Sequence, residues 1–464
     1  MSERKPAAVV LGGSLAGLLA ARALASTGAR VTLVERDALP AGPEPRKGLP
    51  QARHVHQLWS GGARALEQVL PGATAGLRAA GANRMAMTTE MVMLSPHGWY
   101  RRWAESAFML AAGRDLLDSV VRRLVLADGE IELVERAEAV GLAGTAAAVT
   151  GARVRTHEGA VRTLSADLVV DATGRGSRAP HWLAEFGLPA PERREVDSGL
   201  VYASRLFRAP ERARSGFPVV NIAPDPRGTG TGSGGVLIPV EDGRWMVTLI
   251  GGRNDAVPRT EADFAGYATE KLRHPLIGRL LAGAEPLTQV SVTRTTANRR
   301  LFCEKAPAWP ENFVVLGDAL CALNPLYGHG MAVSAQSALA LRDVTGRHGL
   351  GSPGLSRHVQ RAVGRTVRAA WDFAIGSDVF YPGATETGPT LRDRVLSAYV
   401  GRLLRTATGN GRIARRVTDV TSLERGAEVL LAPSVLLAAA VGPLLPPLGA
   451  PPLTAEEMKA AGIL

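Results

Sequence analysis

The pattern of apolar and polar positions predicts a β-α-β unit at the start of the chain. Residues Ala7 to Leu11 form a short apolar run, which is typical of a buried strand. Apolar residues then recur at helical spacing from Ser14 to Ser26, and Arg30 to Glu35 is a second predicted strand that ends in an acid. A strand, a helix and a strand in this order indicate a parallel sheet covered by a helix.

Two β-rich stretches follow this opening unit. Short β segments separated by glycine-containing turns occupy residues 124–172, and a second β-rich stretch covers 199–251. Within the second stretch, Glu241, Asp242 and Gly243 join two apolar segments and predict a hairpin.

The α/β pattern returns in the last third of the chain. A buried strand is predicted at Phe313 to Leu316 and a helix at Gly330 to Arg342, and from about Arg347 the signals are mostly helical. We therefore predict an α/β fold in which a Rossmann-like domain is interrupted by a β-sheet domain and followed by a helical C-terminal region. The predicted boundaries are 1–80, 107–185 and 285–345 for the first domain, 81–106 and 186–284 for the inserted domain, and 346–464 for the helical region.

Composition excludes several classes of protein. With 464 residues the chain is too long for one small domain. Its two cysteines, Cys303 and Cys321, cannot build a disulfide scaffold or a Cys-rich metal centre, so we predict no metal and a reduced, cytoplasmic compartment. The formal net charge is +11, but the arginines are scattered instead of forming a basic stripe with aromatics, which disfavours nucleic-acid binding.

No membrane span is predicted. Glycines interrupt the apolar run near the N-terminus, which therefore favours a strand and turn over a secretion signal. The other long apolar stretch, Ala427 to Ala450, contains four prolines, whereas a spanning helix needs about 20 uninterrupted apolar residues. A buried C-terminal helix and a peripheral contact with a membrane or partner both remain open for this stretch.

The first chemical motif is LGGSLAGL, from Leu11 to Leu18, which follows a strand and begins a helix. Its glycines, Gly12, Gly13 and Gly17, allow a tight turn and a close approach to a pyrophosphate, which the helix N-terminus also attracts. Ser14 stands where the G-x-G-x-x-G pattern has its second glycine. Glu35 follows Gly12 by 23 residues, close to the spacing expected for a carboxylate that holds a ribose hydroxyl.

Two further motifs each combine a strand-end acid with glycines. FVVLGDALCALNPLYGHGM, from Phe313 to Met331, contains Asp318, a turn at Asn324 and Pro325, and Gly328 and Gly330 before a helix. ADLVVDATGRGSRAP covers 166–180 and ends another strand at an aspartate. A helix that begins at Gly330 would direct its positive end toward a bound anion.

The ordered trio of these motifs resembles the FAD-binding signature of aromatic-hydroxylase-like and squalene-epoxidase-like flavoprotein monooxygenases. The resemblance spans roughly residues 7 to 345 and implies that the Rossmann-like domain binds FAD and the inserted sheet domain binds substrate. Together with RKGLPQARHVHQLWSGGARALEQVLPG (46–72), the motifs look most like bacterial flavin-dependent epoxidases that act on linear polyenes in polyether antibiotic pathways.

The resemblance implies roles for individual residues. Residues expected at the FAD pyrophosphate are Gly12, Gly13, Ser14 and Gly17, with Glu35 at the adenosine ribose. Arginines expected near the FAD phosphates or ribose are Arg36, Arg46, Arg53 and Arg114. Asp318 is expected at the ribityl chain, and Pro325, Gly328 and Gly330 against the isoalloxazine.

The resemblance also implies the reaction: oxygen transfer from a flavin C4a-hydroperoxide to an alkene of an apolar linear polyene. The flavin carries the chemistry, so no catalytic side chain is named. The substrates are then the polyene, O2 and NAD(P)H or a partner flavin reductase. No separate NAD(P)H domain is expected, because the glycine-rich segment Arg227 to Gly235 precedes a hairpin, which indicates a loop and no phosphate-binding helix.

Several alternatives remain open. A flavin hydroxylase of aromatic polyketides would use the same intermediate. A flavin halogenase needs a lysine relay, whereas Lys47 lies in the wrong motif; a flavin reductase and a non-catalytic flavin-binding module are the others. His54 and His56 are expected on one face of a strand, where one of them packs or hydrogen-bonds near the flavin without proton chemistry. Alternating methionines from Met85 to Met93 predict strands that suit core packing or a pocket for an irregular apolar chain.

Overall fold

A five-stranded parallel sheet is the framework of the protein, whose computed structural model describes residues 4–225, 232–253 and 257–464. Numbered in chain order, the strands are β1 (Ala7–Leu11), β2 (Arg30–Val34), β3 (Gln57–Trp59), β4 (Asn83–Met87), β5 (Met91–Ser95), β6 (Gly98–Trp99), β7 (Ala107–Ala111), β8 (Ile131–Val134), β9 (Ala137–Gly144), β10 (Val149–Thr156), β11 (Val161–Ser165), β12 (Leu168–Asp171), β13 (Arg193–Val196), β14 (Val201–Arg208), β15 (Val219–Ile222), β16 (Gly234–Val240), β17 (Arg244–Gly251), β18 (Glu285–Pro286), β19 (Ser291–Thr293), β20 (Asn298–Leu301), β21 (Phe313–Val315) and β22 (Cys321–Ala322).

The α-helices surround and extend these sheets. They are α1 (Leu15–Ala25), α2 (Ser60–Val69), α3 (Ala73–Ala79), α4 (Arg114–Leu126), α5 (Ala179–Glu185), α6 (Glu261–Glu270), α7 (Leu276–Leu281), α8 (Gly330–His348), α9 (Leu355–Asp378), α10 (Leu391–Gly409), α11 (Gly411–Thr421), α12 (Pro433–Val441) and α13 (Ala455–Ala460).

The parallel sheet has the order β8-β2-β1-β12-β21. Val9 of β1 pairs with Thr32 of β2 on one side and with Val169 of β12 on the other. Val10 and Leu11 are fully buried, because helix α1 packs against the sheet and the antiparallel strands β9, β10 and β11 contact it as well. The predicted Rossmann-like α/β arrangement is confirmed. Strands β1 and β12, which are about 160 residues apart in the chain, lie side by side in the sheet.

Four helices, α1, α2, α8 and α9, pack together on this framework. Helix α8 lies at their centre, and its residues Ala335, Ala338 and Leu341 are fully buried. Gly62 of α2 permits the close approach, since a Cβ there would stand 2.4 Å from Cα of Ala332. The glycine therefore sets how closely α2 lies against the helix that follows the NPLYGHG segment.

A second, mixed sheet has the order β18-β14-β17-β16-β15-β5-β6, with β19 beside β14. Helices α6 and α7 contribute to the core on one face, which includes Leu237 and Phe264. Strands β16 and β17 form the predicted hairpin, and Asp242 and Gly243 adopt positive φ angles of 59° and 64° at its turn. The glycine-rich segment Arg227 to Gly235 lies outside the described residues as far as Thr231, and Gly234 and Gly235 belong to β16.

The opposite face of the mixed sheet meets the small antiparallel sheet β3-β7-β4. Side chains from both sheets form the methionine cluster, which consists of Trp59, Met85, Met87, Met109 and Met246 together with neighbouring aliphatic residues. The predicted methionine strands are β4 and β5. The remaining strands form two three-stranded antiparallel sheets, β11-β10-β9 and β13-β20-β22.

The C-terminal region is helical, as predicted, but the interpretation of 427–450 as a buried helix is wrong. Only Pro433–Val441 is α-helical there, and Leu437 and Leu444 are 68% and 67% exposed. Prolines end the helix early, and its outer side has no neighbour in the described structure to cover it. None of the described helices is both long and apolar enough to cross a bilayer.

Candidate functional site

The three sequence motifs meet at the carboxyl edge of the parallel sheet. Gly12 follows β1 with φ of 99°, and a Cβ there would stand 2.5 Å from the carbonyl oxygen of Ala172, just after β12. Gly317 follows β21, and its Cβ would lie 2.7 Å from Cβ of Ala16 in α1. Ligands of open parallel sheets bind at this edge, so the fold brings all three motifs to one site.

Helix α1 begins directly after the Gly12 turn with its first amide groups uncapped. Ser14 is the N-cap in extended conformation, yet its side chain makes no capping hydrogen bond and instead accepts one from Arg114 Nη2 at 3.1 Å. Gly17 is required for the turn, because a Cβ there would stand 1.7 Å from the carbonyl oxygen of Gly12. The amide groups of the first turn therefore remain available to a phosphate.

Five buried charged side chains form the arginine cluster beside this helix start: Glu35, Arg46, Arg114, Asp118 and Arg122. Asp118 receives Arg122 at 2.6 Å, Arg46 at 3.3 Å and Arg114 at 4.0 Å. Arg46 also approaches Glu35 at 3.5 Å and donates to the carbonyl of Gly13 at 3.1 Å. Three guanidinium groups thus share two carboxylates.

The arginine cluster fits a bound diphosphate. Its five side chains carry three positive and two negative charges. Burial lowers the pKa of Arg114 and Arg46 lowers it further, whereas Asp118, Asp318 and Asp115 raise it. The Nε atoms of Arg46 and Arg114 are buried and have no hydrogen-bond partner among the described residues. An anion at the start of α1 would supply the missing charge and acceptors.

Glu35 directly follows β2, at the position where the ribose of a dinucleotide is expected. Its carboxylate accepts the amide hydrogens of Gly13 at 2.6 Å and Asp37 at 2.9 Å. A carboxylate has about four lone-pair positions, so capacity for a ribose hydroxyl remains. Arg36 and Arg53 differ from the arginine cluster: both are exposed and form no ion pair within the described ranges.

Asp118 was missed from the sequence, although a signal was present. Arg114, Asp118 and Arg122 lie at successive i, i+4 positions of α4, which places them on one helix face. Arg175 was also missed. It lies in the DATGRGS segment and donates to the carbonyls of Ala297 and Leu323, both at 2.8 Å.

Asp318 occupies the turn after β21, as the FAD motif requires of a residue at the ribityl chain. Burial raises the pKa of its carboxyl group, and the charges of Arg175, Arg114 and Arg299 oppose that rise. A partly desolvated carboxylate among arginines is a strong acceptor for sugar hydroxyls.

The segment from Asn324 to Gly330, which we call the flavin segment, forms a surface on which a flavin ring could lie. Pro325–Tyr327 is a single 3₁₀ turn, and Gly328 follows with φ of 65°. A Cβ on Gly328 would stand 2.3 Å from Nε2 of Gln57, so only glycine fits. A Cβ on Gly330 would meet nothing within 4 Å, which leaves open space in front of the N-terminus of α8.

A buried carboxylate supports the flavin segment through hydrogen bonds. Asp378, the last residue of α9, accepts hydrogen bonds from Tyr327 Oη at 2.5 Å, Asn298 Nδ2 at 2.6 Å and Asn324 Nδ2 at 2.8 Å. Asn324 in turn accepts from the hydroxyl of Tyr202 in β14. We call these five residues the aspartate network. It joins the segment from Asn324 to Gly330, the mixed sheet and the C-terminal region.

The aspartate network contains one carboxylate and no cation. Burial raises the pKa of Asp378, and its neutral donors, Tyr327 first among them, oppose the rise. No local sequence pattern predicts the aspartate network, because Asp378 follows Asn324 by 54 residues and belongs to another element.

His54 is buried and His56 is half-buried, but the prediction that they lie on a strand is wrong. They precede β3, because the 3₁₀ turn Pro50–Arg53 bends the chain there. His54 Nδ1 lies 2.7 Å from Ser204 Oγ, and burial, together with Arg53, lowers its pKa to about 4. Burial lowers the pKa of His56 to about 3.

The methionine cluster borders the flavin segment through Trp59. The indole Nε1 donates to the carbonyl of Tyr327 at 3.1 Å, while the ring packs among the methionines. The site therefore has an arginine-rich end at α1 and an apolar end beside Tyr327.

Comparison with known proteins agrees with this geometry. The family of FAD dependent oxidoreductases matches residues 8–205. Over 402 residues the chain is 31% identical to Protein Rv3254 of Mycobacterium tuberculosis (strain ATCC 25618 / H37Rv), covering 83% of each protein. It is 28% identical over 410 residues to kynurenine 3-monooxygenase of Salinispora tropica, covering 85% of this chain and 82% of that relative.

Solved structures of flavoenzymes share the fold. p-Nitrophenol 4-monooxygenase from Pseudomonas putida DLL-E4 superposes with a TM-score of 0.62 at 16% identity, over 92% of this chain and all of that one. The myxobacterial chondrochloren halogenase gives a TM-score of 0.63 at 19% identity, over 91% and 97%. These two likenesses show the fold alone. The sequence relatives, the family match and the arginine cluster together show that the chain belongs to the FAD-dependent oxidoreductases, with FAD as its cofactor.

Proposed function

We propose that this protein is an FAD-dependent monooxygenase that epoxidises alkenes of an apolar, linear polyene, such as a polyketide precursor of a polyether antibiotic. One atom of O2 enters the alkene, and the other leaves as water. NAD(P)H supplies two electrons and one proton as a hydride, directly or through a partner reductase, and the second proton comes from solvent. When bound, FAD supplies the redox chemistry that activates O2.

The observation that carries the proposal is the position of the methionine cluster against the flavin segment. Trp59, Met85, Met87, Met109 and Met246 are each less than 10% exposed. Thioether side chains adapt to irregular apolar surfaces, and a cluster without charges suits an extended hydrocarbon better than a charged amino acid.

The other residues hold the cofactor and exclude water. Arg46 and Arg114 could bind the diphosphate, and Gly328 and Gly330 leave room for the ring. The N-terminus of α8 would direct positive partial charge toward a ring held at this segment, which would favour negative charge on the ring. His54 remains uncharged near neutral pH because its pKa is about 4, so it contributes hydrogen bonding to Ser204.

The alternative functions make different demands on the chain. A halogenase would place a lysine between flavin and substrate, yet all five lysines, at positions 5, 47, 271, 305 and 459, are exposed on the surface. An aromatic hydroxylase uses the same cofactor chemistry, and the relatives named for kynurenine and p-nitrophenol are of that type. Product identity separates these functions.

The test is turnover of the FAD-loaded protein with NADH or NADPH, 18O2 and a linear polyene ester, followed by mass spectrometry. We expect incorporation of one 18O atom per oxidised alkene, and no product without O2. Parallel reactions contain an aromatic substrate, or the polyene with chloride or bromide. A labelled phenol without epoxide, a halogenated product, or a reduced alkene would each overturn the proposal.

A further inference from the structure

The C-terminal region carries an exposed apolar surface, which we call the apolar face. Its members come from α12 and the segments beside it: Leu431, Leu436, Leu437, Val441, Leu444 and Leu445. Between Val429 and Ala450 the sequence contains no charged residue. Contiguous apolar exposure of this kind marks an interaction site more often than a random surface.

The face is separate from the core of the C-terminal region. Val435 and Ala439 form the inner side of α12 and pack with Leu403 and Ala407 of α10. Leu437 and Val441 lie on the other side of the helix and are 68% and 64% exposed. Helix α12 is thus apolar on both sides, although only one side is covered.

The leucines beyond α12 are held in place. The amide groups of Leu444 and Leu445 both donate to the carbonyl of Gly409, at 3.2 and 3.1 Å. A Cβ on Gly409 would stand 2.4 Å from the carbonyl oxygen of Leu445, so the glycine permits this contact. The exposed leucines therefore belong to an ordered surface.

Arginines border the apolar face. Arg402 donates to the carbonyls of Ala439 and Ala440 at 2.6 and 2.8 Å, and Arg101 donates to Pro446 at 2.8 Å. Arg405 is exposed and follows Arg402 by about one turn of α10. None of these three arginines forms an ion pair with a carboxylate in the part of the chain that the structure describes.

We propose that the apolar face docks on the surface of a membrane that contains anionic lipid, with the leucines among the acyl chains and the arginines at the headgroups. Apolar side chains bordered by cations are the pattern of helices that lie in the membrane interface. A second copy of the chain fits less well, because a symmetric contact would bring the same unpaired arginines together. This proposal does not depend on the substrate.

The test is co-sedimentation of the FAD-loaded full chain with vesicles of phosphatidylcholine alone and with vesicles of equal parts phosphatidylcholine and phosphatidylglycerol. We expect binding to the anionic vesicles that weakens as salt increases. The double variant Leu437→Glu/Leu444→Glu should bind at least about tenfold more weakly, and Arg405→Gln about fivefold more weakly. Val161→Glu is the control, since Val161 is 56% exposed on β11, outside the face.

Flavin content and size-exclusion chromatography show whether each variant is folded. Binding to neither vesicle, equal binding to both at all salt concentrations, or unchanged binding of the double variant would overturn the proposal. So would a dimer that dissociates in the double variant without any vesicle binding, because the face would then be a self-association surface.

Discussion

The two buried polar groups of the site differ in whether they are complete without a ligand. In the arginine cluster three guanidinium groups share two carboxylates, and two Nε atoms have no partner among the described residues. In the aspartate network, one carboxylate accepts from Tyr327, Asn298 and Asn324. The first group is built to receive an anion, whereas the second supports the segment on which the flavin could lie.

This difference assigns FAD affinity to the arginine cluster and the positioning of the flavin segment to the aspartate network. A cluster with excess positive charge gains stability when a diphosphate binds, because the ligand supplies the missing countercharge. A network whose donors and acceptors already match contributes to the folded state with or without ligand. Substitutions in the two groups should therefore affect different measurements.

The largest effect is expected from Arg114→Met, which removes the excess charge and the bond to Ser14. We expect the FAD dissociation constant to rise about 100-fold, since hydrogen bonds to charged groups contribute roughly 1.5–3 kcal/mol. The free energy of unfolding of the apoprotein should change little, because Asp118 keeps Arg46 and Arg122. Flavin fluorescence titration and urea unfolding measure the two quantities.

The control is Arg22→Met, which removes an arginine that pairs with Asp128 and Glu130 at the surface. It should leave FAD affinity unchanged. If Arg114→Met instead destabilised the apoprotein by several kcal/mol and left FAD affinity intact, the arginine cluster would be self-sufficient and the comparison would fail.

A smaller effect on affinity and a larger one on stability are expected from Asp378→Asn. The amide places an NH2 group against existing donors, so the apoprotein should lose about 2–3 kcal/mol of unfolding free energy. FAD affinity should fall only about tenfold, with a shift in the visible flavin spectrum that reports a displaced segment. Asp372→Asn, an exposed position earlier on α9, is the control. An unaltered flavin spectrum in the Asp378→Asn variant would show that the network does not position the flavin.

The smallest effect on FAD affinity is expected at His329, which should change the pH dependence of stability and leave FAD affinity at neutral pH unchanged. His329 precedes α8, and burial lowers its pKa to about 4. Between pH 6.5 and about 4 the unfolded chain binds a proton here that the folded chain does not, so the free energy of unfolding falls as pH is lowered. His54 and His56 act in the same direction.

The variant His329→Gln should remove up to one proton from this dependence, about 1.4 kcal/mol per pH unit within the window. Glutamine can still donate to the carbonyl of Thr421, which lies 2.8 Å from Nε2 of His329. Urea unfolding of the apoprotein between pH 4.5 and 7.5 measures the slope. The exposed His157→Gln is the matched control, and an identical slope in both variants would contradict the assignment to His329.

Local patterns determined much of the fold. The strands at 7–11 and 30–34, the helix between them and the hairpin at Glu241–Gly243 follow from apolar spacing and turn residues. The positive φ of Gly12 and Gly328 was likewise encoded locally, since only glycine adopts such turns without strain. These features could be predicted because apolar spacing and turn residues are properties of each segment itself, whichever distant strand it pairs with.

The sequence by itself thus determined the turns, the strand ends and the family resemblance. Only the tertiary structure decided that Arg46 joins Asp118, that Asp378 supports Asn324 and Tyr327, and that the outer side of α12 is exposed. The contacts of Asp118 with Arg46 and of Asp378 with Asn324 and Tyr327 join side chains tens of residues apart, and their distances depend on how the elements pack together. An apolar or charged residue has the same local pattern whether its neighbour is the core, a cofactor or solvent.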